Sequence, residues 1–173
     1  MKLLIVLAAV LLVGLAACGK PTFRVTQPQD WVPVLTTTDE ATYTRDGILL
    51  QLIKVQTIPL TKDLPHTKKT LKKDMLPHEA AEVIADNFLN DPEFGHQRVI
   101  ENSPTTIANQ KGFFLHVSYQ TKAGLTKQAQ YCGTIVGEKL TLLLYEAPSR
   151  YYFDASLPAF MQVRQSFEFL SEK

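Results

Sequence analysis

This chain carries almost no excess of either charge. Its 173 residues hold 18 Lys+Arg against 17 Asp+Glu, a formal net charge of +1. Nucleic-acid binding needs a basic stripe, so nucleic acid is not an expected partner. Signatures of cofactor and nucleophile chemistry are also missing. No Walker loop, no Gly-x-Gly-x-x-Gly fingerprint and no Gly-x-Ser-x-Gly elbow occurs, so no cofactor and no catalytic residue is expected from local motifs. No internal repeat of about 20 to 50 residues is visible, which excludes a repeat array. Histidines number four and are scattered, and cysteines number two. The apolar run Leu3 to Val13 is shorter than the roughly 20 residues a membrane-spanning helix requires.

That run is nevertheless informative. Lys2 precedes it, and Leu15-Ala16-Ala17-Cys18 follows it. A basic start, a short apolar stretch and small residues before a cleavage point describe a signal peptide. The four residues resemble the lipobox of bacterial lipoproteins. The resemblance implies cleavage before Cys18, lipid on the Cys18 sulfur and acylation of the new amino terminus. It therefore implies a lipid-anchored protein of the cell envelope, facing the periplasm. Gly19 rather than Asp after the cysteine favours the outer membrane if the source is Gram-negative. Taking residues 1–17 from 173 leaves 156, and losing Lys2 leaves 17 basic against 17 acidic side chains. That is one domain's worth of chain. With Cys18 lipidated, Cys132 is the sole thiol, so no internal disulfide can form.

Gly19 to Asp30 has Pro21 and Pro28 among polar residues and no periodicity, and reads as a tether over 18–30. Trp31 marks the edge of a single domain over 31–173. Ala41 to Arg45 and Ile48 to Gln56 read as strands joined at Asp46-Gly47, a strong hairpin dipeptide. Thr57 to Met75 is polar and basic. Helical spacing would place Lys68 and Lys72 on one face with Lys69 and Lys73 beside them. Such a face would suit an anionic headgroup, a glycan or a partner, or would simply be solvated.

Pro77 opens a helix to about Asn90, with Ala80, Ile84 and Phe88 repeating as one apolar stripe beside Ala81. Strands then follow at Arg98–Glu101, Gly112–Thr121, Leu125–Val136 and Lys139–Glu146, the last three joined by short turns into an antiparallel meander. Pro148 to Asp154 reads as an aromatic loop. Ser156 caps a final helix, with Pro158 in its first turn. A short strand at Glu168 to Leu170 can close the chain. The fold class is α+β: an antiparallel sheet of about five or six strands with helices packed on both faces.

Several of these pieces together resemble the PsbP-like α-β-α sandwich. They are the hairpin around Arg45-Asp46-Gly47, the helix start Met75-Leu76-Pro77-His78-Glu79, and Gly112-Phe113-Phe114. To these the chain adds a sheet meander, Tyr152-Phe153, and a helix closing on Ser166-Phe167. The resemblance covers about residues 31 to 171 and implies a binding or assembly factor rather than an enzyme. It assigns no functional residue.

Candidate chemistry is thin. His78-Glu79-Ala80-Ala81-Glu82 falls short of the zincin His-Glu-x-x-His, because Glu82 stands where the second imidazole belongs and no third ligand is evident. Arg150-Tyr151-Tyr152-Phe153 is the best contact surface, since Arg and Tyr are enriched at binding hot spots. The alternative is that Tyr152 and Phe153 anchor the last helix. The expected function is a membrane-anchored, non-catalytic envelope lipoprotein with a protein partner. A small-molecule or lipid carrier with a pocket between sheet and helices is the second reading, and an envelope hydrolase the third.

Overall fold

The computed structural model describes residues 22–170. The signal segment 1–17, Cys18 and the start of the tether lie outside the described residues. The elements run β1 (Phe23–Arg24), β2 (Val32–Thr36), β3 (Glu40–Thr44), β4 (Leu52–Pro59), α1 (Pro77–Leu89), β5 (Phe94–Ile107), β6 (Gln110–Thr121), β7 (Thr126–Val136), β8 (Lys139–Pro148), α2 (Tyr152–Ser166) and β9 (Glu168–Phe169). Seven strands form one antiparallel sheet in the order β2-β3-β4-β8-β7-β6-β5, and β1 pairs with β9 in a separate ribbon. The strand count therefore exceeds the expected five or six.

Alternation along the strands divides the core in two. Phe113, Leu115, Val117 and Tyr119 of β6 and Leu140 and Leu142 of β8 pack with the Ala80, Ala81, Ile84 and Phe88 stripe of α1. Leu143, Tyr145 and Ala147 of β8 pack instead with Phe153, Phe160 and Val163 of α2. Consecutive strand residues point to opposite faces, so the two clusters lie on opposite sides of the sheet. Each large apolar side chain so buried contributes roughly 1.5–3 kcal/mol relative to exposure.

Local chemistry fixes both helix starts. In α1, Pro77 occupies the first turn, and the Glu79 carboxylate accepts the Leu76 backbone N–H at 2.7 Å. That bond satisfies one of the donors a helix end leaves open. In α2 the expected Ser156 cap is overruled. The cap position is Tyr151, the helix begins at Tyr152, and Ser156 is a buried interior residue. The Tyr145 hydroxyl donates to the Tyr152 and Phe153 carbonyl oxygens at 3.0 and 2.8 Å, pinning that first turn to β8. Residues 152–154 are thus helix, not loop.

Three further expectations are corrected. Residues 22–30, read as tether, lie along the domain. Phe23 and Trp31 are buried in the α2-side core, and the Ser166 hydroxyl accepts the Thr26 N–H at 2.9 Å. The second hairpin strand starts at Leu52 rather than Ile48. Asp46 and Gly47 both take positive φ (61° and 106°), as a tight turn demands. The Leu50 and Gln51 N–H groups then bond back to the Gly47 carbonyl, and Leu49 is left 87% exposed. Finally, residues 60–76 contain no helix, so the lysines there are not held at helical spacing.

Candidate functional site

The antiparallel register assigns every connection to one of the two ends of the sheet. The β3–β4, β6–β7 and β8–α2 connections share one end, because Leu52 pairs with Glu146 and Lys127 with Pro148. The other end holds the β2–β3, β5–β6 and β7–β8 turns and the loop after β4, since Pro59 pairs with Lys139 and Ile107 with Gln110. These two ends are called here the far end and the near end.

The Arg150–Phe153 segment lies at the far end, and the fold splits it. Phe153 is 3% exposed and stacks on Tyr145 (ring centroids 5.2 Å) and His116 (5.3 Å). It is a core anchor, so the reading of Phe153 as a contact residue is replaced by its structural alternative. Tyr152 is half-buried, with its backbone held by Tyr145. Arg150 and Tyr151 remain at the surface, Tyr151 with 79% exposure. The Tyr151 backbone is unusual. Its φ of 65° and ψ of −58° enclose a bond from the Tyr152 N–H to the Arg150 carbonyl at 2.8 Å. This is a γ-turn of the positive-φ hand, rare and strained for a residue bearing a Cβ. Such a conformation costs of order 1–3 kcal/mol and persists where surrounding structure over-determines it. Leu49 and Ile48 of the β3–β4 connection and Leu125 of the β6–β7 connection are exposed at the same end.

Side chains with catalytic chemistry do not assemble. His78, Glu79 and Glu82 ride on α1, and Glu79 is occupied as a cap. Cys132 belongs to the opposite core, is fully buried, and burial pushes its thiol up to about 11 despite the nearby Arg164. A thiol held protonated and away from solvent is a poor nucleophile. His116 shares that face, but its Nε2 is engaged by the Gln128 side chain at 2.7 Å and its ring lies flat against Phe153.

A buried polar group went unnoticed in the sequence. The Lys127 Nζ and a Glu146 Oε lie 2.9 Å apart, and the Tyr119 hydroxyl donates to the other Glu146 oxygen at 3.0 Å. Burial first, then Glu146, drives the Tyr119 hydroxyl well above its ordinary pKa. No motif marks this group. The only signal was a lysine and a glutamate facing inward on neighbouring meander strands.

The loop after β4 gathers the lysines by another route. Leu60 and Leu71 are buried beneath it. The Thr67 hydroxyl and the Lys69 ammonium both reach Asp86 of α1, which holds that carboxyl below its usual range. The His66 N–H donates to Asn87 Oδ1 at 3.0 Å, and Lys73 lies 3.3 Å from Glu138 in the β7–β8 turn. The strap so fixed surrounds a concavity of about 410 Å³ lined by Lys62, Lys68, Lys69, Lys72 and Lys73, with Asp63 and Glu138 on its rim. A second concavity, of about 840 Å³, lies between the end of α2 and the β5–β6 turn, with Asn109, Gln110, Arg164 and Gln165 in its wall.

This arrangement, a seven-stranded antiparallel sheet with two helices, defines the fold class shared by PsbP and Mog1 proteins. No protein-family model and no curated sequence matches the chain, but solved structures do. LpqN of Mycobacterium tuberculosis, described as involved in cell envelope biogenesis, aligns at 15% identity over 88% of this chain and 86% of its own, with a TM-score of 0.59. PsbP (CyanoP) of Synechocystis sp. PCC 6803 aligns at 13% over 86% and 87%, with a TM-score of 0.56. The Ran-binding protein Mog1p of Saccharomyces cerevisiae aligns at 10% over 86% and 90%, with a TM-score of 0.55. The chain also spans 47% of a Bacteroides thetaiotaomicron structure, at 12% identity over 88% of its own length and a TM-score of 0.55. At such identities the likeness is one of fold. No helix among the described residues is long and apolar enough to cross a membrane.

Proposed function

We propose that this chain is a lipid-anchored protein of the cell envelope, tethered through Cys18. It binds a protein partner or supports an assembly, without catalysis, and it presents Arg150 and Tyr151 as its contact surface. The observation that carries the reading is Tyr151, an aromatic side chain 79% exposed on a strained γ-turn. The ring's packing is an edge-on contact with its neighbour Tyr152, centroids 5.2 Å apart, which is small against the strain, so the strain points to use. The exposed Leu49, Ile48 and Leu125 extend that surface. The roles of these neighbours, Ran binding for Mog1p and involvement in cell envelope biogenesis for LpqN, agree with a binding role. Gly19 after Cys18 favours the outer membrane if the source is Gram-negative.

Two experiments test this. Metabolic labelling with radioactive fatty acid should mark the wild-type chain, and Cys18→Ala should abolish the label; label persisting in the variant refutes the anchor. Crosslinking the full chain in intact cells should yield one recurrent partner, lost when Arg150→Ser is combined with Tyr151→Gly. Tyr152 and Phe153 are left unchanged because Phe153 belongs to the core. Glycine relieves the positive-φ strain, so Tyr151→Gly should leave stability unchanged or raise it by about 1 kcal/mol. A loss of more than 1 kcal/mol in urea unfolding would mean that Tyr151 supports the fold instead.

A further inference from the structure

We infer that the near end of the sheet faces the membrane, and that the two ends of the lysine strap, at Lys62 and Lys72, dock on anionic phospholipid headgroups. The inference rests on the lipid anchor proposed above and deepens it by giving the domain an orientation.

Chain length provides the first argument. Thr22 begins the described residues, four positions beyond Cys18. Four residues span at most about 14 Å fully extended. An anchor at Cys18 therefore keeps Thr22 within that distance of the lipid, whatever path the chain takes. The domain cannot stand off the surface as the longer expected tether would have allowed.

Position provides the second. The Thr22 N–H donates to the Thr38 carbonyl in the β2–β3 turn, and the Thr57 N–H donates to the Asp39 carbonyl next to it. Three residues further, the Leu60 N–H donates to the Glu138 carbonyl in the β7–β8 turn. A continuous line of backbone hydrogen bonds thus leads from the emerging chain to the rim of the lysine concavity. It crosses about three strand spacings, on the order of 14 Å. Phe23 packs in the α2-side core and Leu60 and Leu71 in the α1-side core. A plane laid across the near end meets the tether from one side of the sheet and, from the other, the two ends of the strap, Leu60–Lys62 and Lys72–Lys73 beside Glu138, while residues 66–69 run along α1 to Asp86 and Asn87.

Charge provides the third. Lys69 and Lys73 have carboxylate partners, Asp86 and Glu138. Lys62, Lys68 and Lys72 are exposed and have no carboxylate within 4.0 Å among the described residues. The far end carries the exposed apolar residues Leu49 and Tyr151 instead. Lys62 and Lys72 thus lie beside the anchor, and the Tyr151 contact surface lies away from it. Each lysine within a Debye length of an anionic surface strengthens attachment roughly fivefold. Lys62 and Lys72 lie at this end with the exposed Asp63 and Asp74 beside them, so the lysine contacts select an orientation once the lipid has fixed position and add little to the attachment itself.

The test uses the full lipidated chain reconstituted in vesicles of phosphatidylcholine alone and of phosphatidylcholine mixed equally with phosphatidylglycerol. Acylation of individual lysines by an amine-reactive reagent is read by mass spectrometry. Lys62 and Lys72 should react at least fivefold more slowly on the anionic vesicles, and high salt should erase the difference. Lys122, in the β6–β7 turn at the far end, should react equally on both. The same digest reports the Cys18 peptide. A lipidated peptide with equal lysine labelling on both vesicles overturns the orientation and leaves the anchor standing. An unmodified peptide overturns the anchor and this inference with it. Equal protection on neutral vesicles by free inorganic phosphate would mean that the strap binds a soluble anion, and would overturn the membrane as its ligand.

Discussion

Glu146→Leu is expected to destabilise the domain by about 3–5 kcal/mol, the usual penalty for stranding one member of a buried ion pair. The Lys127 side chain is only 5% exposed, and its ammonium has Glu146 at 2.9 Å as partner. Without the carboxylate, a cation remains in an apolar wall and the Tyr119 hydroxyl loses its acceptor. The melting temperature should fall by roughly 6–20 °C, at 2–4 °C per kcal/mol for a domain of this size. Lys127→Met combined with Glu146→Leu should recover most of the loss, because a well-packed apolar pair replaces a buried ionic one at little cost. Denaturant unfolding of the two variants checks this. A single-variant loss below 1 kcal/mol would show that water reaches Lys127 and that the group is not truly buried.

Gly133→Ala should cost about 3 kcal/mol, at the upper end of what overpacking a core usually costs. Gly133 pairs with Phe113 across β6 and β7, and the Phe113 ring lies over the bare glycine backbone. A Cβ at Gly133 would stand 2.2 Å from Phe113 Cζ, 2.4 Å from Cε1 and 2.9 Å from Leu142 Cδ2. The ring cannot swing aside, because Phe113 is 1% exposed within the α1-side cluster. Phe113→Leu shortens the offending group, so the double variant should be more stable than Gly133→Ala alone despite removing a buried ring. A double-mutant cycle measures that coupling. Simple additivity would mean the clash is absorbed elsewhere.

Where burial imposed a period, the sequence was readable. The Ala80, Ile84 and Phe88 stripe and the Phe113, Leu115, Val117, Tyr119 alternation both face the α1-side core, and both elements lie within two residues of their expected bounds. Elements without a buried face were missed. All five residues of β2 are exposed, and Pro33 sits within it. β5 is fourteen residues long, mostly exposed and broken by two register shifts, so only Arg98–Glu101 of it was anticipated. Edge strands need no alternation, because one side has no neighbour to impose it. The apolar run Ile48–Leu50 misled in the opposite direction: it looks like strand but forms a turn that exposes Leu49. At the helix start, Ser156 offered good capping chemistry, but the Tyr145 hydroxyl, reaching in from another strand, decided the boundary. The lysines were visible as a cluster. What the sequence could not reveal is that hydrogen bonds through Thr38, Asp39 and Leu60 bring Lys62 and Lys72 to the end from which the tether departs, while Asp86 and Asn87 hold residues 66–69 along α1.

The pairing of β1 with β9 also governs when the domain can finish folding. Phe23 packs on Phe167, with ring centroids 5.7 Å apart, and stands opposite Phe169 in the ribbon. A chain emerging amino end first exposes Phe23 almost at once, yet its binding site is made of residues synthesised more than 140 positions later. No local contact can shelter it in the interval, and closing so long a loop comes late because its entropy must be met before the contact repays it. An exported chain would thus remain open at this corner until α2 and β9 have crossed the membrane. The ribbon acts as a completion latch. A chain truncated before Phe167 would keep its meander, α1 and the whole of α2, lack the latch, and leave Phe23 without Phe167 and Phe169, open to proteolysis at that corner.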